Sequence, residues 1–414
     1  MTVADTTTTA PPLRFSRRVD EIPPALSVWV NQLVYDLRRL GRDVTTLSLG
    51  EAFFEIPRFS FEALDFERGY HYSDSQGLPE LRDRIAEYYR DHYGAAVDGA
   101  SEVLVSAGSK PIIAMCMQAL LDPGDEVVIH EPAWLSYQEQ ARLCGASVRF
   151  VRHDVPLASF GEHLGPRTRL VILNNPNNPA GWVYGADELV GLATTCRRNG
   201  AFLMVDEAYS DFVLDGSFRA LPSLVPDLDG VIAVNSLSKN MGMSGWRIGY
   251  AIAQPALIDR LLKLNQHLIT CAPTVLQQYL VRYFDEILAH TLPQVRAVVE
   301  KRERVGALLD RRGIDRLPGG ATFYYFLDVG DFDGDTMDLV LALLLEHDVA
   351  LVPGGAYGAS TADHVRLSIG TETEERIDAA LGALQHVLRT GVDRDRISTE
   401  MGRLGLRRWE GTAR

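Results

Sequence analysis

The chain predicts an α/β protein, with a mostly parallel sheet in a large domain and a smaller α+β domain assembled from both termini. Three observations carry this. Between about residues 100 and 255, short apolar runs rich in valine and isoleucine alternate with amphipathic helical stretches. Polar residues cluster directly after the runs, where open α/β sheets bind their ligands. The 414 residues also exceed the length at which one hydrophobic core stops growing, so two domains are expected.

Residues 1–14 open with MTVADTTTTAPP, which lacks a basic or apolar targeting pattern, and are expected to be a disordered tail. Residues 15–50 are expected to join 290–390 in the small domain, leaving 51–289 as the large one. The runs VLV (103–105), EVVI (126–129), RLVIL (169–173), AFLMV (201–205), VIAV (231–234) and RIGYAIA (247–253) read as strands. Helical patterns fill Ser109 to Leu121 and Glu188 to Asn199, the second stopped by Gly200. This alternation puts helices on both faces of the sheet. A long helical stretch covers roughly 256–312. Beyond it ATFYYFLDV, VALVPG and HVRLSIG read as strands, alternating with helices near 336–346 and 373–389. Residues 391–414 read as a C-terminal tail.

The formal net charge of −14 argues against a broad nucleic-acid surface, so an anion site must be local. Cys116, Cys144, Cys196 and Cys271 are scattered without C-x-x-C spacing and read as small buried hydrophobes, with no metal and no disulfide framework implied. No apolar run approaches membrane-spanning length, and a cytoplasmic protein is expected.

The stretch NSLSKNMGMSGWRIGY (235–250) is built for an anion. Ser236, Ser238 and Arg247 supply hydroxyl and guanidinium donors suited to phosphate, and Gly242 and Gly245 would let the chain return Arg247 to them. Lys239 alone would read as a surface charge. Beside a phosphate cradle it suggests an amine that condenses with a phosphorylated aldehyde. Asp206, at the end of a buried strand in MVDEAYS, would pair with the ring nitrogen of such a cofactor, although an aspartate there also serves as a helix N-cap. Tyr209 follows within reach of the ring oxygen. NNPNNPAG (174–181) is turn chemistry that also presents the Asn178 amide. SAGSK (106–110) offers the helix N-terminal amides of Ser109 and Lys110 to a phosphate. Trp134 is either a core aromatic or a stacking partner for a flat ring. Arg366 lies within an apolar strand and needs an anion, for which a substrate carboxylate is the attractive candidate.

Taken in order, YSDSQGLPELR, SAGSK, HEPAW, NNPNNPAG, DEAY, SLSKNMGMSGWRIG, LVPGGAYG and VRLSIG resemble the fold-type I pyridoxal-phosphate aminotransferases of class I/II, especially the bacterial branch with aspartate and prephenate aminotransferases. The resemblance runs from about Phe15 to Leu388. It implies a seven-stranded sheet and pyridoxal 5'-phosphate as cofactor. Lys239 would be the Schiff-base lysine and Asp206 the pyridinium partner, with Tyr209 and Asn178 on the ring oxygen, Trp134 on one ring face and Ala208 on the other. Ser109, Ser236, Ser238, Arg247 and, from a neighbouring subunit, Tyr72 would hold the phosphate. Arg366, Asn178 and the backbone of Gly50 would bind the substrate α-carboxylate. A homodimer with shared sites is implied, as are ping-pong exchange between an amino acid and a 2-oxo acid and Lys110 as a contact for an acidic side chain.

Departures concern the substrate. PPALSVWV (23–30) has Ala25 and Ser27 where that branch commonly carries two hydroxyls. GEAFFEIP (50–57) has Ala52 and Phe53 in place of Pro-Asp, which favours a more apolar pocket. His267 reads as a surface or packing residue. Two rival readings stay open at this level. One is elimination, cyclisation, racemisation or oxidation with the same cofactor. The other is an aminotransferase-like effector module, against which the acidic charge and the short segment before the matched region both argue.

Overall fold

The computed structural model describes residues 13–330 and 332–409. Most of the expected disordered tail, residues 1–12, lies outside them; Leu13 and Arg14 are exposed and carry no regular structure.

The large sheet has seven strands: β1 Val103–Ser106, β2 Glu126–His130, β3 Ser147–Val151, β4 Thr168–Asn174, β5 Phe202–Asp206, β6 Val231–Ser236 and β7 Gly249–Ala253. Their order across the sheet is β1-β7-β6-β5-β4-β2-β3, and only β7 runs antiparallel to its neighbours. Residues of β1, β2, β6 and β7 are buried on both faces, which explains their near-continuous apolar character. β3 lies at the edge, with alternate residues partly exposed, and its sequence SVRFV carries an arginine. That half-polar pattern kept it out of the apolar runs. The seventh run also shortens: Arg247 takes a left-handed conformation, φ +58°, so the strand starts at Gly249.

Helices Ser109–Leu120 and Ala186–Arg198 match the helical patterns, and Gly200 follows the second at φ +70°. The long stretch near 256–312 divides into Pro255–Leu268 and Thr274–Arg312, separated by a turn with Thr270 at φ +77° and Pro273, and the second span is kinked at Tyr283, whose φ −125° and ψ 21° are not helical. A second, three-stranded antiparallel sheet holds β8 Tyr324–Asp328, β9 Val352–Pro353 and β10 His364–Ser368 in the order β9-β10-β8. Thr45–Thr46 pairs in parallel with Val349–Ala350.

Two large cores result. One gathers Trp29, Leu33 and Leu37 from the Leu26–Arg39 helix with Val295, Val299, Leu309, Leu339 and Leu384. The other packs Tyr89, Val105, Val171, Val205 and Ile287 beneath one face of the large sheet. The Thr274–Arg312 helix serves both, with residues 279–288 in the second core and 295–309 in the first. The tail includes a helix, Arg394–Leu404, whose Ile397 and Met401 enter the first core.

Candidate active site

Strand register decides which loops meet. Asn174 pairs with Asp206, Asp206 with Val234 and Ser236 with Gly249, so the turns leaving β4, β5 and β6 open side by side at the carboxyl edge of the sheet. Asn178, Tyr209 and Lys239 stand on those three turns.

Asp206 is buried. Its carboxylate accepts from Tyr137 Oη at 2.7 Å and from the Ala208 amide at 3.1 Å. Burial raises its pKa, against the hydrogen bonds and the nearby Lys239, which favour the ion. Trp134 meets Tyr137 edge to face with centroids 5.2 Å apart, and Lys110 Nζ lies 5.1 Å from the Trp134 ring centre.

Lys239 Nζ donates to Gly50 O at 2.6 Å and sits 5.5 Å from the centre of the Tyr209 ring. Burial pushes its pKa down to about 8, aided by Arg366 and Arg247, and outweighs the opposing pull of Glu51 and Asp206. Tyr209 Oη shares a 2.9 Å hydrogen bond with Tyr324 Oη and accepts from Asn178 Nδ2 at 3.5 Å.

The anion cradle is made by close backbone approach. Ser236 Oγ donates to Ser238 Oγ at 2.8 Å, and Arg247 Nη1 reaches Ser238 Oγ at 3.4 Å and Ser244 O at 2.6 Å. A Cβ on Gly108 would lie 2.4 Å from Arg247 Nη2, and one on Gly249 would lie 2.4 Å from the Ser109 amide nitrogen. Only glycines at both positions let the guanidinium, the helix N-terminus and the two hydroxyls converge. Gly242, at φ +63° and packed against Phe54, fits the proposed turn. Gly245 has neither a positive φ nor a close neighbour, so it is not required for it.

Among the described residues, Arg366 is buried without a carboxylate partner. Nη1 donates to Asn178 Oδ1 at 3.2 Å and Nη2 to Ser48 O at 2.7 Å, while Nε has no acceptor among them. The guanidinium lies 4.6 Å from the Tyr324 ring centre and 5.3 Å from that of Tyr357. An unmade hydrogen bond of this kind costs about 1–3 kcal/mol, so an incoming carboxylate is favoured.

The arrangement fits a flat, phosphorylated aldehyde: a neutralisable amine linked through Tyr209 and Asn178 to a buried guanidinium, with a buried carboxylate and an anion cradle on the neighbouring turns. Tyr72 is not part of it, being 85% exposed and making no hydrogen bond to the cradle among the described residues. Ala208 is placed by the hydrogen bond its backbone N–H donates to Asp206. A cleft of about 890 Å³ borders Trp134 and Tyr357 without including Lys239. His267 is exposed, and Ser27 stands in the first turn of the Leu26–Arg39 helix. Sequence reasoning missed Tyr137, Tyr324 and Tyr357. Tyr137 and Tyr357 stand inside HEPAWLSY and LVPGGAYG, so a search of those motifs for hydroxyls would have found both. Tyr324 gave no such signal, since its strand reads simply as apolar.

The profile described as "Aminotransferase class I and II" matches residues 39–384. Aspartate aminotransferase of Thermotoga maritima is 31% identical over 382 residues, covering 90% of this chain and 99% of that protein. Asparagine--oxo-acid transaminase of Streptococcus mutans is 30% identical, covering 87% and 95%. Among solved structures, the Thermus thermophilus aspartate aminotransferase with maleate superposes with a TM-score of 0.82 at 30% identity, covering 91% of this chain and all (100%) of that one.

Proposed function

The chain belongs to the class I and II aminotransferases, and from that membership we propose which cofactor, residues and substrates serve it. It is an amino-acid aminotransferase. The observation that carries the residue-level reading is the unbroken contact chain from Lys239 through Tyr209 and Asn178 to Arg366.

Pyridoxal 5'-phosphate, when bound, supplies an aldehyde that captures amines and a ring that accepts electrons from the substrate carbon. Ser109, Ser236, Ser238 and Arg247 would hold its phosphate, Trp134 and Ala208 would flank the ring, and Asp206, fixed by Tyr137, would pair with the ring nitrogen. Tyr209 and Asn178 address the ring oxygen. Arg366, Asn178 and the Gly50 backbone bind the substrate α-carboxylate. Once freed, Lys239 Nζ takes the α-proton and later returns it, acting as base and then as acid; a pKa near neutrality suits both roles. The two half-reactions predict ping-pong kinetics.

Lys110, exposed beside Trp134, supports a dicarboxylate as one partner: glutamate with 2-oxoglutarate, or aspartate. A homodimer sharing its sites accounts for exposed Tyr72 and for the neighbouring exposed Phe53, Phe61, Phe66 and Tyr70. The free cysteines suit a reducing, cytoplasmic setting.

The test pairs a substrate screen with one substitution. Purified protein with the cofactor is expected to form a 2-oxo acid from glutamate or aspartate, read by mass spectrometry. Lys239→Ala is expected to lose that turnover, along with borohydride-stable attachment of the cofactor. Undiminished turnover by Lys239→Ala would overturn the assignment.

A further inference from the structure

Lys239 sits in a helix of only four residues, Leu237–Asn240, too short to hold itself. At its start, Ser236 Oγ accepts from the Ser238 amide at 3.2 Å. At its end, the residue directly after Lys239 is tied down: Asn240, buried, donates Nδ2 to Asp211 Oδ2 at 2.8 Å. Asp211 belongs to the turn after β5 that also carries Tyr209 and follows directly on Asp206, the last residue of that strand. The bond therefore joins the turn bearing the amine to the turn bearing its carboxylate and phenol partners.

Asp211 is itself braced from a third element. Its Oδ1 accepts from Tyr88 Oη at 2.7 Å and from Tyr93 Oη at 2.6 Å, both on the helix Pro79–Tyr93. Tyr93 Oη also lies 3.0 Å from Ser210 Oγ. With its proton given to Asp211, that phenol accepts from the serine. Asn235 Nδ2, at the end of β6, closes the network at 3.2 Å from Ser210 Oγ. Two side-chain bonds thus cross to the turn after β5, one on each side of Lys239 in sequence. Asn235 Oδ1 also accepts from the Ser236 amide at 2.7 Å, so the network meets the cradle there, whereas Asn240, Asp211, Tyr88 and Tyr93 make no hydrogen bond to the cradle or to Arg366 among the described residues.

We propose that Asp211, acting through Asn240 and braced by Tyr88 and Tyr93, is a positioning residue for Lys239 that sets where its amine stands relative to Asp206 and Tyr209. The proposal rests on the assignment of Lys239 as the proton-moving amine. A group that must leave the cofactor, collect a proton and return it depends on its anchor, because small misplacements of a reacting group are costly in rate. Substrate carboxylate binding at Arg366 does not pass through this anchor, so kcat and KM should separate.

Asn240→Ala tests it. Alanine is the best helix former, so the four-residue helix is not weakened by propensity and only the tether is lost. With saturating cofactor, kcat is expected to fall about tenfold while KM for the amino acid changes less than about threefold. Before substrate is added, the pH midpoint of the bound cofactor's visible absorbance change is expected to shift away from that of the parent protein. Wild-type kcat and an unmoved midpoint, whatever the melting temperature, would overturn the proposal. Should Asn240→Ala fail to fold, Tyr88→Phe with Tyr93→Phe removes both braces and keeps the rings; the same criteria apply. The parent protein separates the two levels: if it binds no cofactor at Lys239, the functional assignment fails, whereas a normal parent with unaltered variants sinks only the tether.

Discussion

At Lys239 opposing influences act on one amine, and burial wins. The ammonium loses water, Arg366 and Arg247 repel it, and the attraction of Glu51 and Asp206 does not restore the ordinary value. With a pKa of about 8 in the folded chain against 10.5 for a free lysine, the folded chain binds fewer protons across that window. This charge therefore opposes folding below pH 8, and the cost is relieved as pH rises toward 10.5. The same shift makes the amine a nucleophile at lower pH than surface lysines. In cofactor-free protein, the rate of attachment of pyridoxal 5'-phosphate at Lys239 should rise with pH and level off above about 8; a rise continuing past pH 10 would contradict it. Lys239, Asp206 and Arg366 were legible as residues because each is a charge out of place, in a glycine-rich loop, at a strand end or inside an apolar strand. Tyr137 and Tyr324 were not, since a tyrosine in an apolar setting looks like core until its hydroxyl is seen to have a partner.

The elements matter here mainly for how closely their backbones approach. Gly249 opens β7 against the start of the Ser109–Leu120 helix, with no room for a methyl group: a Cβ would lie 2.4 Å from Ser109 N and 2.7 Å from Gly108 C. Overpacking of this kind costs about 1–3 kcal/mol, and here it would push on the amide meant for the phosphate. Gly249→Ala should weaken cofactor affinity at least about tenfold, measured by fluorescence titration of the cofactor-free protein, and should lower the melting temperature. Affinity equal to that of the parent would mean that this junction is not part of the cradle. Runs of valine and isoleucine announced six strands because those strands are buried on both faces. The seventh, β3, is an edge strand with half its residues wet, and its composition is that of a loop. The break at 269–273 escaped notice because the residues on either side keep the helical spacing of apolar positions.

For the whole molecule, the long, kinked Thr274–Arg312 helix passes from one core to the other, and Arg366 from the smaller sheet meets Asn178 from the turn after β4 of the larger one. The group is thus built where the two cores abut. The aminotransferase relatives favour amino transfer over the elimination, cyclisation, racemisation or oxidation left open by the motifs. Sites shared across a dimer, as proposed above, would make a prediction that belongs only to the assembly. If Tyr72 serves the neighbouring subunit, then Lys239→Ala and Tyr72→Ala chains mixed, unfolded and refolded together should recover activity that neither has alone. Equal mixing leaves one intact site in each hybrid dimer, so recovery approaches roughly a quarter of the parent's activity. No recovery, with hybrids present by native mass spectrometry, would place Tyr72 outside the site.

The sequence by itself determined the alternating architecture and the identities of the charged groups. Both are local properties: strand burial writes itself into composition, and a lysine, aspartate or arginine in an improbable setting marks itself. Only the tertiary structure decided that Tyr137 fixes Asp206, that Tyr324 stands between Tyr209 and Arg366, and that Asn240 is tied to Asp211. Those partnerships join residues far apart in the chain. Parallel register brings the ends of successive strands of the large sheet to one edge, the smaller antiparallel sheet brings Tyr324 and Arg366 to it, and no spacing along the sequence encodes which side chains then come within 3 Å of each other.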